Sequence, residues 1–139
     1  MERDFEKSVI KANWIEIQLR KIALLIDIFR FKRIMKKKDV DYIVSDRYFY
    51  DSVVNISYLE TKFPSELFAE RFIPKPDQAF FVKVSPEKIM TRERKPDQGL
   101  EYLAAKEKIY ESKVSGWNMI VLGGDNAKEK IFEEIKKSI

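Results

Sequence analysis

The sequence contains no cysteine and no histidine, and these two absences narrow the chemistry that it can perform. Without cysteine there is no disulfide framework, no thiolate metal site and no thiol nucleophile. Without histidine, the commonest general base and the commonest metal ligand are both missing. Any catalysis has to depend on Asp, Glu, Lys, Arg, Ser or Tyr side chains. This inventory suits the binding of phosphate better than it suits acyl transfer.

Long apolar runs are also missing. Charged residues interrupt every apolar stretch, so none reaches the roughly 18 uninterrupted apolar residues of a membrane span. The first residues, MERDFEK, alternate acidic and basic side chains and lack the apolar core of a signal peptide. These features predict a cytoplasmic protein with no membrane partner. The length of 139 residues predicts a single domain spanning 1–139.

Clustered positive charge is scarce, although the net charge is +4. The only dense basic run is KRIMKKK at 32–38, and it ends a long helical pattern, where cations complement the helix dipole. This position favours a solvated helix end over a nucleic-acid-binding face. The nucleic-acid alternative predicts an affinity that falls steeply as salt rises.

Apolar periodicity predicts alternating helices and strands. Strands are expected at 42–46, 79–84 and 118–122, where short runs are almost wholly apolar, as in a parallel sheet that is covered on both faces. Helices are expected over 4–37 (in one piece, or in two broken near Asn13), 49–60, part of 63–72 beginning at Pro64 and Ser65, a segment capped by Ser85-Pro86-Glu87, 100–114 and 128–139. The predicted fold class is therefore α/β, with a parallel three-stranded sheet flanked by helices.

The dipeptide Asp46-Arg47 follows the first predicted strand directly. In open α/β sheets, ligands bind at the carboxyl ends of the strands. There a carboxylate can hold Mg²⁺ through water, and a guanidinium can donate two hydrogen bonds to a phosphate. The structural alternative is a local ion pair, or a helix N-cap supplied by Asp46. The residues by themselves give these two interpretations equal weight.

The run RERK at 92–95 follows the helix that begins after Ser85. One interpretation is a cationic lid, in which Arg92 and Arg94 neutralise the charge that develops during phosphoryl transfer. The other is a solvated helix end.

Taken in order, the segments ALLIDIFRF, VSDRY, KPDQAFFVKVSPEKIMTRERK and MIVL resemble the thymidylate kinase family over nearly the whole chain. The most specific pieces are SDRY and the SPE helix start with arginines after it. The resemblance implies phosphoryl transfer from ATP to dTMP with Mg²⁺ as the cofactor, on a P-loop kinase fold. It also implies a homodimer formed through helices.

The resemblance assigns roles to seven residues, and Tyr58 is added as an eighth because it lies one helical turn after Asn55. By the position of the DRY motif, Asp46 faces the magnesium and Arg47 faces the acceptor phosphate. The remaining roles are a base contact from Arg30, nucleoside-pocket positions at Ser52, Asn55 and Tyr58, and lid arginines at Arg92 and Arg94.

Three positions depart from the family pattern in the base pocket. Ile26 stands where the family places a Phe that stacks on thymine, and Asn55 and Ile56 fill an aromatic and a Gln position. Base–aromatic stacking is worth about 1–3 kcal/mol, so thymine is expected to bind less well here. Tyr58, one helical turn after Asn55, is the candidate replacement. The base that is recognised therefore stays open, with dTMP and other nucleoside monophosphates as alternatives.

The phosphate-binding loop of such kinases, G-x-x-x-x-G-K-[ST], occurs nowhere in the 139 residues, which hold only four glycines. The predicted fold is therefore a P-loop kinase fold without its first βαβ unit, in which no ordinary ATP site can form. Two interpretations follow: a nucleotide kinase when such a loop is supplied, or an inactive relative that binds a nucleotide or a protein. The strands at 42–46 and 79–84 are expected to pair directly, or to receive a strand of a partner chain between them.

Overall fold

The computed structural model describes residues 12–60 and 67–139, and the chain divides into two compact units, Met1–Pro74 and Lys75–Ile139. The architecture is mixed α/β and mostly helical, with one small parallel sheet. The assignment of 1–139 to a single domain stays a prediction.

The first unit is built around a long helix, α1 (Trp14–Met35). The Asn13 side chain accepts a hydrogen bond from the Glu16 amide at 2.9 Å, and the Glu16 side chain accepts one from the Asn13 amide at 3.0 Å. This reciprocal capping box satisfies two amides that a helix start otherwise leaves unbonded. The predicted helix over 4–37 is confirmed from Trp14, and the predicted break near Asn13 coincides with this start. The part of the prediction before residue 12 lies outside the described residues.

Helix α1 packs against α2 (Phe49–Leu59) and a 3-10 helix (Phe68–Phe72). The contact buries aliphatic side chains at three- and four-residue spacings, which is how a helix presents one apolar face to a core. They are Ile17, Leu24 and Ile28 from α1 and Val53, Val54 and Ile56 from α2. A salt bridge from Lys21 to Glu60, 2.5 Å long, joins the two helices beside this core. The predicted helix within 63–72 is present as the 3-10 helix, while Pro64 and Ser65 lie outside the described residues.

The second unit contains the sheet. Its elements in chain order are β1 (Ala79–Lys83), α3 (Pro86–Met90), α4 (Gly99–Lys113), β2 (Met119–Gly123) and α5 (Lys128–Ser138). The two strands are parallel and in register from Ala79 opposite Met119 to Lys83 opposite Gly123. The strands predicted at 79–84 and 118–122 and the helices predicted after Ser85, over 100–114 and over 128–139 are thus confirmed within a residue or two at each end.

Local chemistry explains the connections in the second unit. The Ser85 hydroxyl accepts a hydrogen bond from the Lys88 amide at 3.4 Å, and Pro86 occupies the first turn of α3. On α4, the Tyr110 ring stacks on Phe81 of β1 with 4.8 Å between centroids. After β2 the backbone of Gly124 passes so close to β1 that its amide donates to the Lys83 carbonyl at 2.8 Å.

The strand predicted at 42–46 is absent from the structure. Residues 42–45 have no regular secondary structure and belong to no sheet, and the sheet in the described residues has two strands, not three. The side chains of Tyr42 and Val44 are 90% and 95% exposed. The prediction that 42–46 pairs directly with 79–84 is therefore wrong: an apolar run becomes a strand only when a neighbouring strand supplies its hydrogen bonds.

Candidate functional site

Asp46 and Arg47 follow residues 42–45 and precede Tyr48, the N-cap of α2. Both are exposed. Among the described residues neither side chain forms an ion pair or a hydrogen bond. The N-cap of α2 is Tyr48 and not Asp46. Both structural alternatives for Asp46, the local ion pair and the helix cap, are therefore absent from the described part of the chain.

The backbone of Arg47 adopts a left-handed conformation, with φ of 57°. A residue with a Cβ is destabilised there by about 1–2 kcal/mol, and glycine is the residue that avoids this cost. The turn at Arg47 leads from residues 42–45 into α2 and leaves the guanidinium exposed next to the helix start. Strained residues of this kind occur often at functional sites, which makes the position worth testing.

The amino-terminal turn of α2 has no side-chain cap. The N-cap residue, Tyr48, makes no side-chain hydrogen bond to the helix. Its hydroxyl donates instead to the carbonyl of Pro74, at 2.7 Å. Backbone amides at an uncapped helix start, together with the helix dipole, attract anions. The position beside Asp46 and Arg47 therefore combines the positive end of a helix with a guanidinium that has no partner in residues 12–60 and 67–139.

Aromatic packing holds this start of α2 in place. The Tyr48 ring contacts Phe31, Phe49 and Tyr50 edge-on, with centroid distances of 5.8, 4.9 and 5.2 Å. Burial, and to a smaller extent the neighbouring Tyr50, raises the pKa of Tyr48 to about 12. The rings therefore pack against each other and give the Asp46-Arg47 turn a fixed support.

The other predicted pocket residues of the first unit lie on α1 and α2. Arg30, on α1, keeps 75% of its side chain exposed and approaches Asp27 at 3.8 Å. On α2, Ser52 is exposed, whereas Asn55 and Tyr58 are half-buried. The Asn55 amide donates to the Asp51 carboxylate at 3.3 Å. Asp51 was not among the predicted site residues, although its spacing of four from Asn55 on one helix face was visible in the sequence.

Arg92 and Arg94 belong to the second unit, in the loop between α3 and α4. Both are exposed, and within the described residues neither forms an ion pair. Lys88, on α3, differs from them because it forms an ion pair with Asp125 at 3.0 Å. The loop therefore presents two unneutralised guanidinium groups.

The role of Asp46 as a metal ligand stays a prediction. No group of three or more acidic side chains suited to a metal ion exists in residues 12–60 and 67–139.

No helix in the same ranges combines the length and the apolar character that crossing a bilayer requires.

Comparison with known proteins gives no further assignment. The chain matches no protein-family model, no curated protein and no solved structure.

Proposed function

We propose that this protein is thymidylate-kinase-like and binds a nucleoside monophosphate, such as dTMP, with its phosphate at Asp46 and Arg47. The observation that carries the proposal is the exposed, unneutralised Asp-Arg pair held by a left-handed turn at the uncapped start of α2. The order of motifs along the chain supports the same function.

Arg47 binds the phosphate. Its guanidinium offers a planar pair of N–H donors, which matches two phosphate oxygens, and the first-turn amides of α2 add backbone donors nearby. Asp46 supplies one carboxylate to Mg²⁺, which takes its other ligands from water and phosphate. A single carboxylate is enough for this mode of binding, so the absence of an acidic cluster among the described residues is compatible with it.

The remaining predicted residues keep their proposed roles. Arg30, Ser52, Asn55 and Tyr58 belong to the nucleoside pocket, and Arg92 and Arg94 form the cationic lid. The P-loop kinase fold with a third strand at 42–46 belongs to this proposal too, with the third strand forming only when a further strand pairs with it. A cytoplasmic location is part of the same proposal.

Turnover requires more than acceptor binding. Phosphoryl transfer depends on positioning and on neutralisation of the ATP phosphates, and these 139 residues contain no G-x-x-x-x-G-K-[ST] loop. We therefore propose nucleotide binding for this polypeptide, and ATP-dependent formation of dTDP only where such a loop is supplied. The second candidate, an inactive binding protein, is favoured by the same missing loop and by Ile26, Asn55 and Ile56 in the base pocket.

The test is calorimetric titration of the protein with dTMP in the presence of Mg²⁺. Arg47→Ala removes a charge-assisted contact worth about 1.5–3 kcal/mol, so affinity should fall roughly tenfold or more. The matched control is Arg71→Ala, which removes an exposed arginine from the 3-10 helix of the same unit and should leave affinity unchanged. Equal affinity of Arg47→Ala and the unaltered protein would contradict the proposal.

A second measurement separates binding from catalysis. The protein is incubated with dTMP, ATP and Mg²⁺, and dTDP is quantified by chromatography. Formation of dTDP that is lost in Arg47→Ala identifies a kinase. Binding without any dTDP identifies the inactive relative.

A further inference from the structure

Three phenylalanine rings meet at the surface of the first unit, beside the carboxyl end of α1. Phe29 of α1 is 52% exposed, and Phe68, at the start of the 3-10 helix, is 62% exposed. The half-buried Phe72 contacts both, with its ring centroid 5.9 Å from that of Phe29 and 5.1 Å from that of Phe68. We name these three rings the aromatic patch. Exposed apolar surface that is contiguous in this way marks an interaction site, whereas single exposed side chains do not.

Cationic side chains lie beside the aromatic patch. The Lys32 ammonium is 5.8 Å from the ring centroid of Phe29 and 5.8 Å from that of Phe72, so it interacts with both rings. Arg33 and Lys36 follow Phe29 by four and seven residues, a spacing that places all three on one side of the helix end. Both are exposed, and neither forms an ion pair in the described part of the chain. We name these three cations the basic end of α1.

Rings and cations side by side match the two chemical parts of a nucleotide. Bases stack on aromatic side chains, and phosphates bind Lys and Arg, in proteins that hold single-stranded nucleic acid. The seven residues from Phe29 to Lys36 span about 10 Å along the helix. That length corresponds to about three nucleotides of a stacked strand, which rises about 3.4 Å per nucleotide. The surface is therefore long enough for several successive nucleotides.

We propose that the aromatic patch and the basic end of α1 together bind single-stranded nucleic acid. Phe29 and Phe68 stack on bases. Lys32, Arg33 and Lys36 bind phosphates of the same strand. The basic run KRIMKKK by itself fits a solvated helix end equally well, and the exposed rings beside it are the observation that distinguishes a binding surface from that alternative.

A membrane surface fits this arrangement less well. Rings that bind a lipid interface enter the boundary of the acyl chains, while lysine side chains keep their ammonium groups in water. Lys32 is half-buried and interacts with two rings of the patch, so insertion of Phe29 and Phe72 would carry its charge toward the hydrocarbon. A nucleotide instead offers an apolar base and an anionic phosphate next to each other.

The inference does not depend on the proposed binding of a nucleoside monophosphate. The aromatic patch and the basic end of α1 contain none of the residues assigned to the acceptor phosphate, the base pocket or the lid. The two proposals can therefore fail separately, because one is tested with dTMP and Arg47→Ala and the other with a nucleic-acid strand and Phe68→Ala.

The first test is fluorescence anisotropy of a short labelled oligothymidine strand without a terminal phosphate. The unaltered protein should bind it, and Phe68→Ala should bind about fivefold more weakly or worse, because it removes a stacking surface. Phe68→Tyr keeps a ring and should retain the affinity. Far-ultraviolet circular dichroism should be the same for all three proteins, since Phe68 is exposed.

The matched control for the ring is Phe132→Ala in the second unit. Phe132 is 59% exposed and also has a lysine, Lys136, with its ammonium 5.8 Å from the ring centroid. Its removal should leave the affinity for the strand unchanged. No binding by the unaltered protein, or equal weakening in Phe68→Ala and Phe132→Ala, would overturn the proposal.

The second test is the salt dependence of the same binding. For single strands, the logarithm of the binding constant falls with the logarithm of the salt concentration by about 0.7 per phosphate contacted. The double variant Arg33→Gln/Lys36→Gln should therefore make the slope shallower by about 1.4. Lys136→Gln/Lys137→Gln, which removes two cations from the last turn of α5, is the control and should leave the slope unchanged. The same slope in both double variants would contradict the phosphate contacts.

The third test separates the classes of ligand. An abasic strand of equal length keeps the phosphates but lacks the bases, so it should bind more weakly and should not respond to Phe68→Ala. An excess of dTMP should not displace the oligothymidine strand, and displacement would place the strand at Arg47 and overturn the inference. Vesicles of phosphatidylcholine and phosphatidylserine provide the alternative surface. Binding of these vesicles that is lost in Phe68→Ala, without binding of the strand, would assign the aromatic patch to membranes instead.

Discussion

The two units of the molecule are stabilised in different ways. The largest fully enclosed side chains, Ile28, Val53 and Val54, all belong to the first unit. The second unit buries Tyr102 and Leu122 but depends more visibly on contacts at the end of β1, where Lys83 forms ion pairs with Glu107 and Glu111. Interior packing is insensitive to salt, whereas exposed ion pairs are screened. The units should therefore respond differently to cavities, backbone crowding and ionic strength.

The largest effect is expected from a cavity in the first unit. Ile28→Ala removes a side chain with no exposed surface, and such truncations lower the free energy of unfolding by about 2–5 kcal/mol. Chemical denaturation measures the loss. Ile34→Ala, at an exposed position of the same helix, is the control and should change stability far less. Similar losses at both positions would mean that the first unit has no packed core.

The stability of the second unit should be most sensitive to substitution at the position where its backbone is crowded. A Cβ at Gly124 would lie 3.0 Å from the Lys83 carbonyl oxygen and closer still to the Val82 and Val84 side chains. Overpacking of this kind lowers stability by about 1–3 kcal/mol, so Gly124→Ala should lower the melting temperature. In Gly116→Ala the nearest atom, the Lys113 carbonyl oxygen, lies at an ordinary 3.7 Å, and stability should be unchanged or slightly higher. Equal effects at the two glycines would contradict this.

The hydrogen bond from the Tyr48 hydroxyl to the Pro74 carbonyl should also stabilise the first unit. Tyr48→Phe removes the hydroxyl that donates to Pro74 and should cost about 0.5–1.5 kcal/mol. The variant should also differ at alkaline pH. Because the pKa of Tyr48 is about 12 in the folded protein and about 10 in an unfolded chain, the unfolded chain loses this proton first, and stability present below pH 10 falls as pH rises toward 12. The free energy of unfolding of Tyr48→Phe should therefore decrease less between pH 10 and 12 than that of the unaltered protein, as measured by chemical denaturation at several pH values. The same decrease in both proteins would contradict the assignment of this effect to Tyr48.

The smallest effect is expected at the exposed ion pairs of the second unit. The carboxylate of Glu111, through a hydrogen bond and its charge, raises the pKa of Lys83, with a smaller contribution from Glu107. Lys83→Gln should lower the melting temperature slightly in dilute buffer and not at all in about 1 M salt, where the Debye length is only about 3 Å. A loss that persists in high salt would show that Lys83 acts through packing of its aliphatic chain. Thermal unfolding at the two salt concentrations measures the difference.

Local signals allowed the elements of the second unit to be predicted from the sequence. Ser85 and Pro86 specify a helix start through their own hydroxyl and ring, and Asn13 does the same for α1 with Glu16. The prediction of a strand at 42–46 was wrong because a strand needs hydrogen bonds from another strand that is distant in the sequence. A local sequence pattern does not show whether such a strand is present. Likewise, the position of Asp46-Arg47 before a helix was predictable, but the left-handed turn at Arg47 was not, since arginine has no preference for it.

The unpaired segment from Val40 to Val44 has a consequence for the behaviour of the protein at high concentration. An exposed apolar segment that belongs to no sheet can pair with other chains as β-structure, which is the first step toward aggregation. Charged residues surround it here: Lys36, Lys37, Lys38 and Asp39 precede it, Asp41 interrupts it, and Asp46 follows. Charges placed around an exposed apolar strand act as gatekeepers, because each added chain would stack like charges on one another. The acidic and basic residues around this segment thus help to keep the protein dispersed, whatever they contribute to binding.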